Sequence, residues 1–430
     1  MKKKIKWIGL LCALNAFFGC IEEFEAETVT ELQSTALVVD ARVTDQNVQQ
    51  TIYLSRLFPF EAADPTPEPN AQVSIVDDLD NVFGFQEVAP GRYITASAVQ
   101  FVHDRAYRLV IQTTDGSRYS SEAEMLPTVV PIGEMKAIRR VNSAGTEGVA
   151  ITLDNNDATG VPNFFRFEYE ETFKIVAPHF NPFDWDEVDD DYFMNDDDGW
   201  EVTIAAREEP ALECFASNTS NALVLGSTER LGSNNLDDFE VRFLGKDNYA
   251  IAHRYSILVK QYHHSVNAAS FYESLSNFSN VESVFSNVQT GRLETNIRDE
   301  NSSENIVLGY FELSSYSEKR MFFNYSDLFP NEPLPPYVIN CDPVGKPPLY
   351  PPGFHVTEID GELVLDGNDS SPLIEGIKAG LYGYHAENEN FGKIDGDGEP
   401  DRAPFLVKSL GCVDCRKFGS NVKPDFWINE

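Results

Sequence analysis

Cysteine carries the most specific chemistry in this sequence. Beyond residue 20 an even number of cysteines remains, which in an oxidising compartment indicates disulfides with about three alternative pairings. These cysteines are Cys214, Cys341, Cys412 and Cys415. We favour a Cys214–Cys341 bond with a tight Cys412–Cys415 loop over a cross-link from the C-terminal tail to the body. A redox Cys-x-x-Cys site and a four-cysteine zinc site, which needs reduced thiolates, are the alternatives.

Closely spaced carboxylates near the C-terminus suggest a weak calcium site, because Ca²⁺ takes about six to eight oxygen ligands. The candidate ligands are Asp395, Asp397, Glu399 and Asp401. Their spacing is similar to the calcium repeat of thrombospondin-type loops, but Lys393 stands where that repeat places its first acid. The alternative is a glycine-rich acidic surface turn. We expect no other cofactor.

Catalytic motifs are absent from the sequence. The seven histidines show no catalytic spacing, and there is no G-x-S-x-G elbow, H-E-x-x-H helix, P-loop or dinucleotide fingerprint. The adjacent His263 and His264 are expected to end a strand rather than to bind a metal. We therefore expect a protein that is not an enzyme.

The N-terminal segment predicts a lipid anchor. Lys2, Lys3, Lys4 and Lys6 precede a short apolar run from Ile8 to Phe18, and Gly19-Cys20 closes it. This run is shorter than the roughly 20 residues that span a bilayer, so residues 1–19 are typical of a signal peptide. Cys20 is the expected lipidated residue, although Phe18 departs from the small residue usual in a lipobox. The alternative is an ordinary secretory signal cleaved elsewhere.

The charge excludes two classes of partner. The chain has 33 basic and 69 acidic side chains, and removing residues 1–19 leaves 29 − 69 = −40. Such a protein is not suited to bind nucleic acid or to dock peripherally on anionic lipid. Two or more acyl chains on Cys20 would anchor it stably. Residues 20–35 form an acidic linker that looks like the surface-export signal of Bacteroidota lipoproteins, with a merely solvated linker as the alternative.

The first part of the mature chain predicts a β-sandwich over residues 36–127. Short runs alternate apolar and polar residues, and Gly, Pro and Asp separate them about every ten residues. Thr51–Leu57, Ala71–Val76 and Tyr107–Ile111 show the pattern most clearly. Pro127 and Pro131 then mark a domain boundary.

A second β-sandwich-like domain is predicted over residues 128–330. One helix near 267–278 interrupts its strands, and its aromatic stripe is expected to pack in the core. The acidic segment 184–198 is expected to protrude as a loop, because its many carboxylates cannot pack as core. Its aromatic residues are our candidates for partner contact. They are Trp185, Tyr192, Phe193 and Trp200.

The remaining residues, 331–430, are expected to form an irregular extension that packs on the second domain. Asn331–Pro352 is rich in proline, and the tail carries Cys412-Val-Asp-Cys415 and Lys423-Pro-Asp-Phe-Trp427. The fold class is therefore mainly β, with two immunoglobulin- or fibronectin-like sandwich domains, one short helical insertion and a disulfide-bearing tail.

Several segments, taken in their order along the chain, together resemble a Bacteroidota outer-membrane lipoprotein family known as domain of unknown function 4249. They include Leu37-Val-Val-Asp40, Ala71-Gln-Val-Ser-Ile75, Arg254-Tyr-Ser-Ile257, Val307-Leu-Gly-Tyr-Phe311 and the two tail segments. Ala41 stands where the family pattern would have glycine.

The resemblance implies an outer-membrane lipoprotein whose gene tends to lie beside that of a TonB-dependent β-barrel receptor. Together with the acidic linker, it leads us to expect a lipid-anchored protein that faces the cell surface. It implies no catalytic residue. The expected function is an accessory or substrate-capture subunit of such a transporter. The alternatives are a surface enzyme acting on glycan or peptide, and a structural envelope protein without a ligand.

Overall fold

The computed structural model describes most of the chain beyond residue 35. The described residues are 36–57, 66–155, 157, 161–190, 199–231, 234–279, 295–302, 305–351, 354–359, 362–366, 370–394 and 398–429. The expected signal peptide, Cys20 and the linker to residue 35 lie outside these ranges.

The described residues are mainly β-structure, as the alternating pattern predicts. The strands up to residue 125 are β1 (Leu37–Thr44), β2 (Thr51–Arg56), β3 (Thr66–Pro67), β4 (Gln72–Asp77), β5 (Val82–Ala89), β6 (Arg92–Thr95), β7 (Ala106–Gln112), β8 (Arg118–Ser121) and β9 (Glu124–Met125). The next strands are β10 (Ile132–Val141), β11 (Glu147–Asn155), β12 (Phe164–Val176), β13 (Phe183–Asp189), β14 (Glu201–Ala206), β15 (Glu213–Thr219), β16 (Val224–Ser227), β17 (Phe239–Gly245) and β18 (Arg254–His264). The last are β19 (Ile297–Asp299), β20 (Val307–Asn324), β21 (His355–Ile359), β22 (Glu362–Asp366), β23 (Tyr382–Glu387) and β24 (Phe405–Ser409).

Helices are short and few among the described residues. They are α1 (Val266–Ser279), α2 (Tyr325–Leu328), α3 (Pro372–Lys378) and α4 (Leu410–Val413), with 3-10 helices η1 (Tyr249–Ile251) and η2 (Cys415–Lys417). The helix α1 lies where the aromatic spacing predicts one, and Phe271 and Tyr272 on it are buried. Ser371 begins α3 by accepting a hydrogen bond from the amide of Ile374 at 3.3 Å, an N-cap that satisfies an otherwise unpaired helix donor.

The chain divides into two compact units. Unit 1 contains residues 1–127 and 267–314, and unit 2 contains residues 128–266 and 315–430. The division after Pro127 lies at the proline-marked boundary. The expectation that residues 128–330 form one domain is wrong for 267–314, because β19, α1 and the first part of β20 pack with unit 1. Strand β20 itself passes from Ser314 in unit 1 to Ser315 in unit 2.

Unit 1 is organised around one hydrogen-bonded series of strands. Its order is β20, β1, β2, β6, β5, β4, β7, β8 and β19. Strand β1 pairs in parallel with residues 307–314 of β20 and antiparallel with β2. The inward side chains form one core that includes Val39, Ile52, Ile75, Tyr93, Leu109 and Phe311. Strands β3 and β9 pair with β2 and β7 beside this path, and the expected sandwich arrangement is not confirmed for this unit.

Unit 2 builds its main core from two sheets. One has the order β15, β12, β18 and β20, with β16 added to β12, and the other has the order β10, β11 and β17. Alternate residues of both sheets enter the same buried cluster, among them Val149, Ile151, Phe165, Tyr255 and Phe323. Burying such large apolar side chains is the main stabilising contribution to a fold of this kind.

The C-terminal extension is more regular than its composition predicts. Residues 331–351 are irregular, but β21 pairs with β22, β23 pairs with β24, and α3 lies between the two hairpins in sequence. A separate cluster contains Leu349, Leu373, Ile374 and Val407 together with Trp200. The extension therefore has its own apolar core within unit 2.

Candidate functional site

The two disulfides differ from the favoured pairing. The bonds are Cys214–Cys415 and Cys341–Cys412, each with a Cα–Cα distance of 5.6 Å. The four cysteines are oxidised as predicted, but the Cys412–Cys415 loop and the Cys214–Cys341 bond are wrong. The reason is local: Cys412 lies in α4 and Cys415 begins η2, so the two sulfur atoms reach different partners. With every thiol bonded, these residues offer neither a dithiol site nor zinc ligands in this structure.

Asp414, which lies between Cys412 and Cys415 in sequence, is at the centre of a buried cluster of ion pairs. Asp414 accepts hydrogen bonds from Arg207 at 2.9 Å and from Arg416 at 2.6 Å. Its Oδ1 also accepts from the amide of Arg416 at 2.9 Å, which begins η2. Burial tends to raise the pKa of Asp414, but the hydrogen bonds and charge of Arg416 and Arg207 outweigh it and lower this pKa. Asp414 therefore holds the start of η2, where Cys415 lies.

The acidic segment is partly a hairpin rather than a wholly protruding loop. Its first residues, 184–189, belong to β13, which pairs with β14 just beyond the segment. Residues 191–198, including Tyr192 and Phe193, lie outside the described ranges. Trp200 is buried, stacks on Tyr350 at 5.4 Å and donates to the carbonyl of Asp190 at 3.1 Å. Trp200 is therefore not an exposed anchor, and that part of the expectation is wrong.

Trp185 is also engaged within unit 2. Its indole nitrogen donates to the carbonyl of Tyr382 at 3.0 Å, and its ring meets Tyr384 and Phe405 edge to face. The half-buried ring packs against the β23–β24 hairpin, so its contacts within the chain account for its position.

The expected calcium ligands are described only in part. Asp395 and Asp397 lie outside the described residues. Asp401 accepts hydrogen bonds from Asn388 at 3.0 Å and from the amide of Ala403 at 3.1 Å, and these bonds lower its pKa. Glu399 pairs with Arg402 at 3.3 Å. The described half of the segment is thus a hydrogen-bonded turn, and calcium binding stays a prediction.

Two cavities in unit 2 share the residues Asp247 and Pro336, and we call them the proline-segment pockets. Their volumes are about 360 and 320 Å³, within the usual range for ligand pockets. One wall is the irregular segment Pro333–Val338, and the other is Lys246–Ala250 at the end of β17 and the start of η1. Sequence reasoning missed this site, because the wall residues meet only through the tertiary fold.

Aromatic rings and polar groups line the first of these pockets. Tyr249 and Tyr337 meet edge to face at 4.9 Å. Their hydroxyls are directed into the protein, since Tyr249 accepts from the amide of Val176 at 3.0 Å and Tyr337 donates to the carbonyl of Gly411 at 2.8 Å. Burial raises the pKa of both phenols. The rings are thus fixed surfaces, suited to hold the apolar face of a ligand.

A buried carboxylate forms the polar wall of that pocket. Glu171 on β12 accepts from Arg242 at 3.1 and 3.3 Å and from the hydroxyl of Tyr255. Burial tends to lower the pKa of Arg242, but the charge of Glu171 outweighs it and raises this pKa. Burial first, and then Glu171, raise the pKa of Tyr255. All three groups are occupied by one another, so the cluster orients the wall of the pocket.

The exposed rim supplies the hydrogen-bonding groups that a ligand would meet. Asn218 and Asp247 are both exposed there. Asn248, also exposed, uses its side-chain oxygen to accept from the amide of Ala250 at 2.9 Å at the start of η1. The arrangement suits reversible binding of a ligand that has both apolar and hydrogen-bonding faces.

Metal-binding groups are not assembled in the described part of the chain. No group of three or more His, Cys, Asp or Glu side chains there could hold a metal ion. His263 and His264 end β18 as expected, and the Nδ1 of His263 lies 2.7 Å from the carbonyl oxygen of Thr128. Burial lowers the pKa of His263.

In the described part of the chain, no helix has the length and apolar character needed to cross a membrane.

The fold and the bonded cysteines define a mainly β, disulfide-containing protein. Residues 21–320, which are 300 of the 430 residues, match the family described as domain of unknown function DUF4249, and the chain belongs to that family. A search of curated proteins gives no match. The matched range begins directly after Cys20 and ends before Cys341, so the tail lies beyond it.

Proposed function

We propose that this protein is a lipid-anchored outer-membrane protein of the cell surface that serves as an accessory or substrate-capture subunit of a TonB-dependent transporter. One observation carries the proposal. The family match starts at Ile21, immediately after the cysteine that the lipobox-like segment offers for acylation. The family resemblance supplies the Bacteroidota origin and the transporter.

The disulfides support an exported location. Cys214–Cys415 and Cys341–Cys412 join residues 201 and 71 positions apart, and bonds of this kind persist in oxidising compartments. Because the mature charge is strongly negative, attraction to anionic lipid would not hold the protein at a membrane. Acyl chains on Cys20 would supply that attachment.

The proline-segment pockets support a binding role. In the first of these pockets, the buried Glu171 is paired with Arg242 at 3.1 Å, and the exposed rim offers amide and carboxylate groups. An enzyme acting on glycan or peptide is the alternative, and turnover of such a substrate by the purified protein would favour it.

The test of the proposal is recovery of the native protein from membranes. Extraction in mild detergent at moderate salt should co-purify a β-barrel receptor of the TonB-dependent class, identified by mass spectrometry. If repeated extractions yield the protein alone, the accessory-subunit proposal fails and a structural envelope role replaces it.

Two variants separate the anchor from the partner. Cys20→Ser should lose acyl labelling and leave the membrane fraction, and continued palmitate incorporation would contradict the anchor. Replacing residues 191–198 with Gly and Ser tests the acidic segment as the receptor contact and should weaken co-purification. Deleting residues 186–198 is less informative, because it removes Asp190, whose carbonyl accepts the hydrogen bond from Trp200.

A further inference from the structure

A third cavity, of about 490 Å³, lies beside the docked C-terminal tail in unit 2. We call it the tail cavity. Residues from β12, β15, β18 and the tail line it, and its volume is in the range typical of small-molecule sites. The lining residues that matter here are Lys174, Glu213, Phe215, Arg254, Lys423 and Trp427.

The lining of the tail cavity is positively charged, whereas the chain as a whole is negatively charged. Its lining contains three cationic side chains, Lys174, Arg254 and Lys423, and one carboxylate, Glu213. The cavity therefore has a local excess of two positive charges in a chain whose net charge is −36. A concave site with an excess of positive charge attracts a small anion.

Two of the cations are held at the cavity wall. The Nε of Arg254 donates to the carbonyl of Ile428 at 2.6 Å, and its Nη1 donates to Asn324 at 2.9 Å. Lys174 pairs with Glu213 at 2.7 Å. These contacts fix the two cations before any ligand arrives, which reduces the entropy lost on binding.

The third cation is available to a ligand. Lys423 is exposed and forms no ion pair with any residue of the described chain. Beside it, the rings of Phe215 and Trp427 meet edge to face, with their centroids 4.9 Å apart, and form an aromatic wall of the cavity. Fixed cations, one free cation and an aromatic wall suit an organic anion better than an inorganic one.

We propose that the tail cavity binds small organic molecules that carry carboxylate groups. The guanidinium of Arg254, whose Nε and Nη1 already donate within the chain, attracts a carboxylate by its charge, and Lys174 and Lys423 supply further positive charge. This site belongs to unit 2 by itself, so the proposal does not depend on association with a transporter.

The test is calorimetric titration of the purified protein without residues 1–19, using citrate as the probe. Citrate should bind with a stoichiometry of one, and the affinity should fall as ionic strength rises. The Lys423→Gln variant should bind roughly fivefold more weakly, as expected for loss of one exposed charge contact. Because Lys423 is exposed, its replacement should leave the melting temperature almost unchanged.

Lys417→Gln is the matched control, because it removes the same charge from an exposed residue that does not line the cavity. It should bind citrate as the unaltered protein does. Equal loss in both variants, equal binding of uncharged trimethyl citrate, or no citrate binding at millimolar concentration would overturn the site. Binding of sulfate as tight as that of citrate would overturn its preference for organic carboxylates.

Discussion

At the scale of single residues, Asp414 links the cysteine motif to the rest of unit 2. The sequence shows a Cys-x-Asp-Cys motif, but it does not show that Arg207, far away in the chain, is the partner of its acid. Arg207 is nearly buried and lies 2.9 Å from Asp414 and 2.5 Å from Asp184. Such partners come together only when distant strands fold, so spacing alone cannot identify them.

Asp414→Asn should destabilise the protein by about 2–3 kcal/mol, because removing one member of a buried ion pair leaves the other poorly compensated. Urea unfolding at pH 7 measures the loss. Asp425→Asn, which alters an exposed carboxylate in the same tail, is the control and should change the stability by less than about 0.5 kcal/mol. Equal effects of the two substitutions would contradict the role of Asp414.

The same residue predicts a dependence on pH. The folded pKa of Asp414 is lowered, whereas the unfolded pKa is about 3.9, so the unfolded chain binds this proton more readily. The contribution of the ionised carboxylate is therefore complete above about pH 4 to 5 and is lost as the pH falls through the folded pKa. The difference between the unaltered protein and Asp414→Asn should stay constant from pH 7 to pH 5 and narrow below pH 4. A difference that persists unchanged into acid would contradict this account.

At the scale of elements, the alternation of apolar and polar residues predicts the strands that have one buried and one exposed face. The predicted runs Thr51–Leu57, Ala71–Val76 and Tyr107–Ile111 lie within one residue of β2, β4 and β7 at each end. The helix α1 lies within two residues of its expected start. Strand β15, with the sequence Glu-Cys-Phe-Ala-Ser-Asn-Thr, has little of the apolar alternation and was missed. Its seven residues pair with β12, and this tertiary pairing, rather than local propensity, decides its conformation.

The C-terminal tail docks as expected, but its two aromatic residues differ in role. Trp427 is 6% exposed and meets Phe215 and Phe322 at ring distances of 4.9 and 5.8 Å. Phe426 is 40% exposed. The Cζ atom of Arg320 lies over the Phe426 ring, 3.6 Å from the ring centroid. Trp427 is therefore a buried contact of the tail, whereas Phe426 is only partly covered.

Trp427→Ala should cost about 3–5 kcal/mol, the usual loss for truncating a buried aromatic residue. Phe426→Ala is the matched control in the adjacent position and should cost only about 1 kcal/mol, mainly the cation–π contact with Arg320. Thermal and urea unfolding of the two variants measure the difference. If Trp427→Ala is no more harmful than Phe426→Ala, the tail does not depend on its tryptophan.

At the scale of the whole chain, the sequence predicts local strands but not which distant strands pair. The parallel register between residues 37–44 and 307–314 joins two segments between which residues 128–266 of unit 2 lie in sequence. The same limit explains the wrong disulfide pairing and the assignment of residues 267–314 to the second domain. Period and turn signals report on short stretches, whereas loop closure over such distances leaves no local pattern.

This long-range pairing predicts that residues 36–127 do not fold alone. Without residues 307–314, all eight residues of β1 lose their parallel partner, and the core loses Phe311 and Leu313, which are fully or almost fully buried. An exposed β-edge and an opened core favour aggregation. The fragment 36–127 should therefore give poorly dispersed amide resonances.

A chain that joins 36–127 to 267–314 through a glycine–serine linker restores the missing strand and should give dispersed resonances and cooperative unfolding. Dispersed resonances from 36–127 alone would show that the first unit is complete without the returning segment.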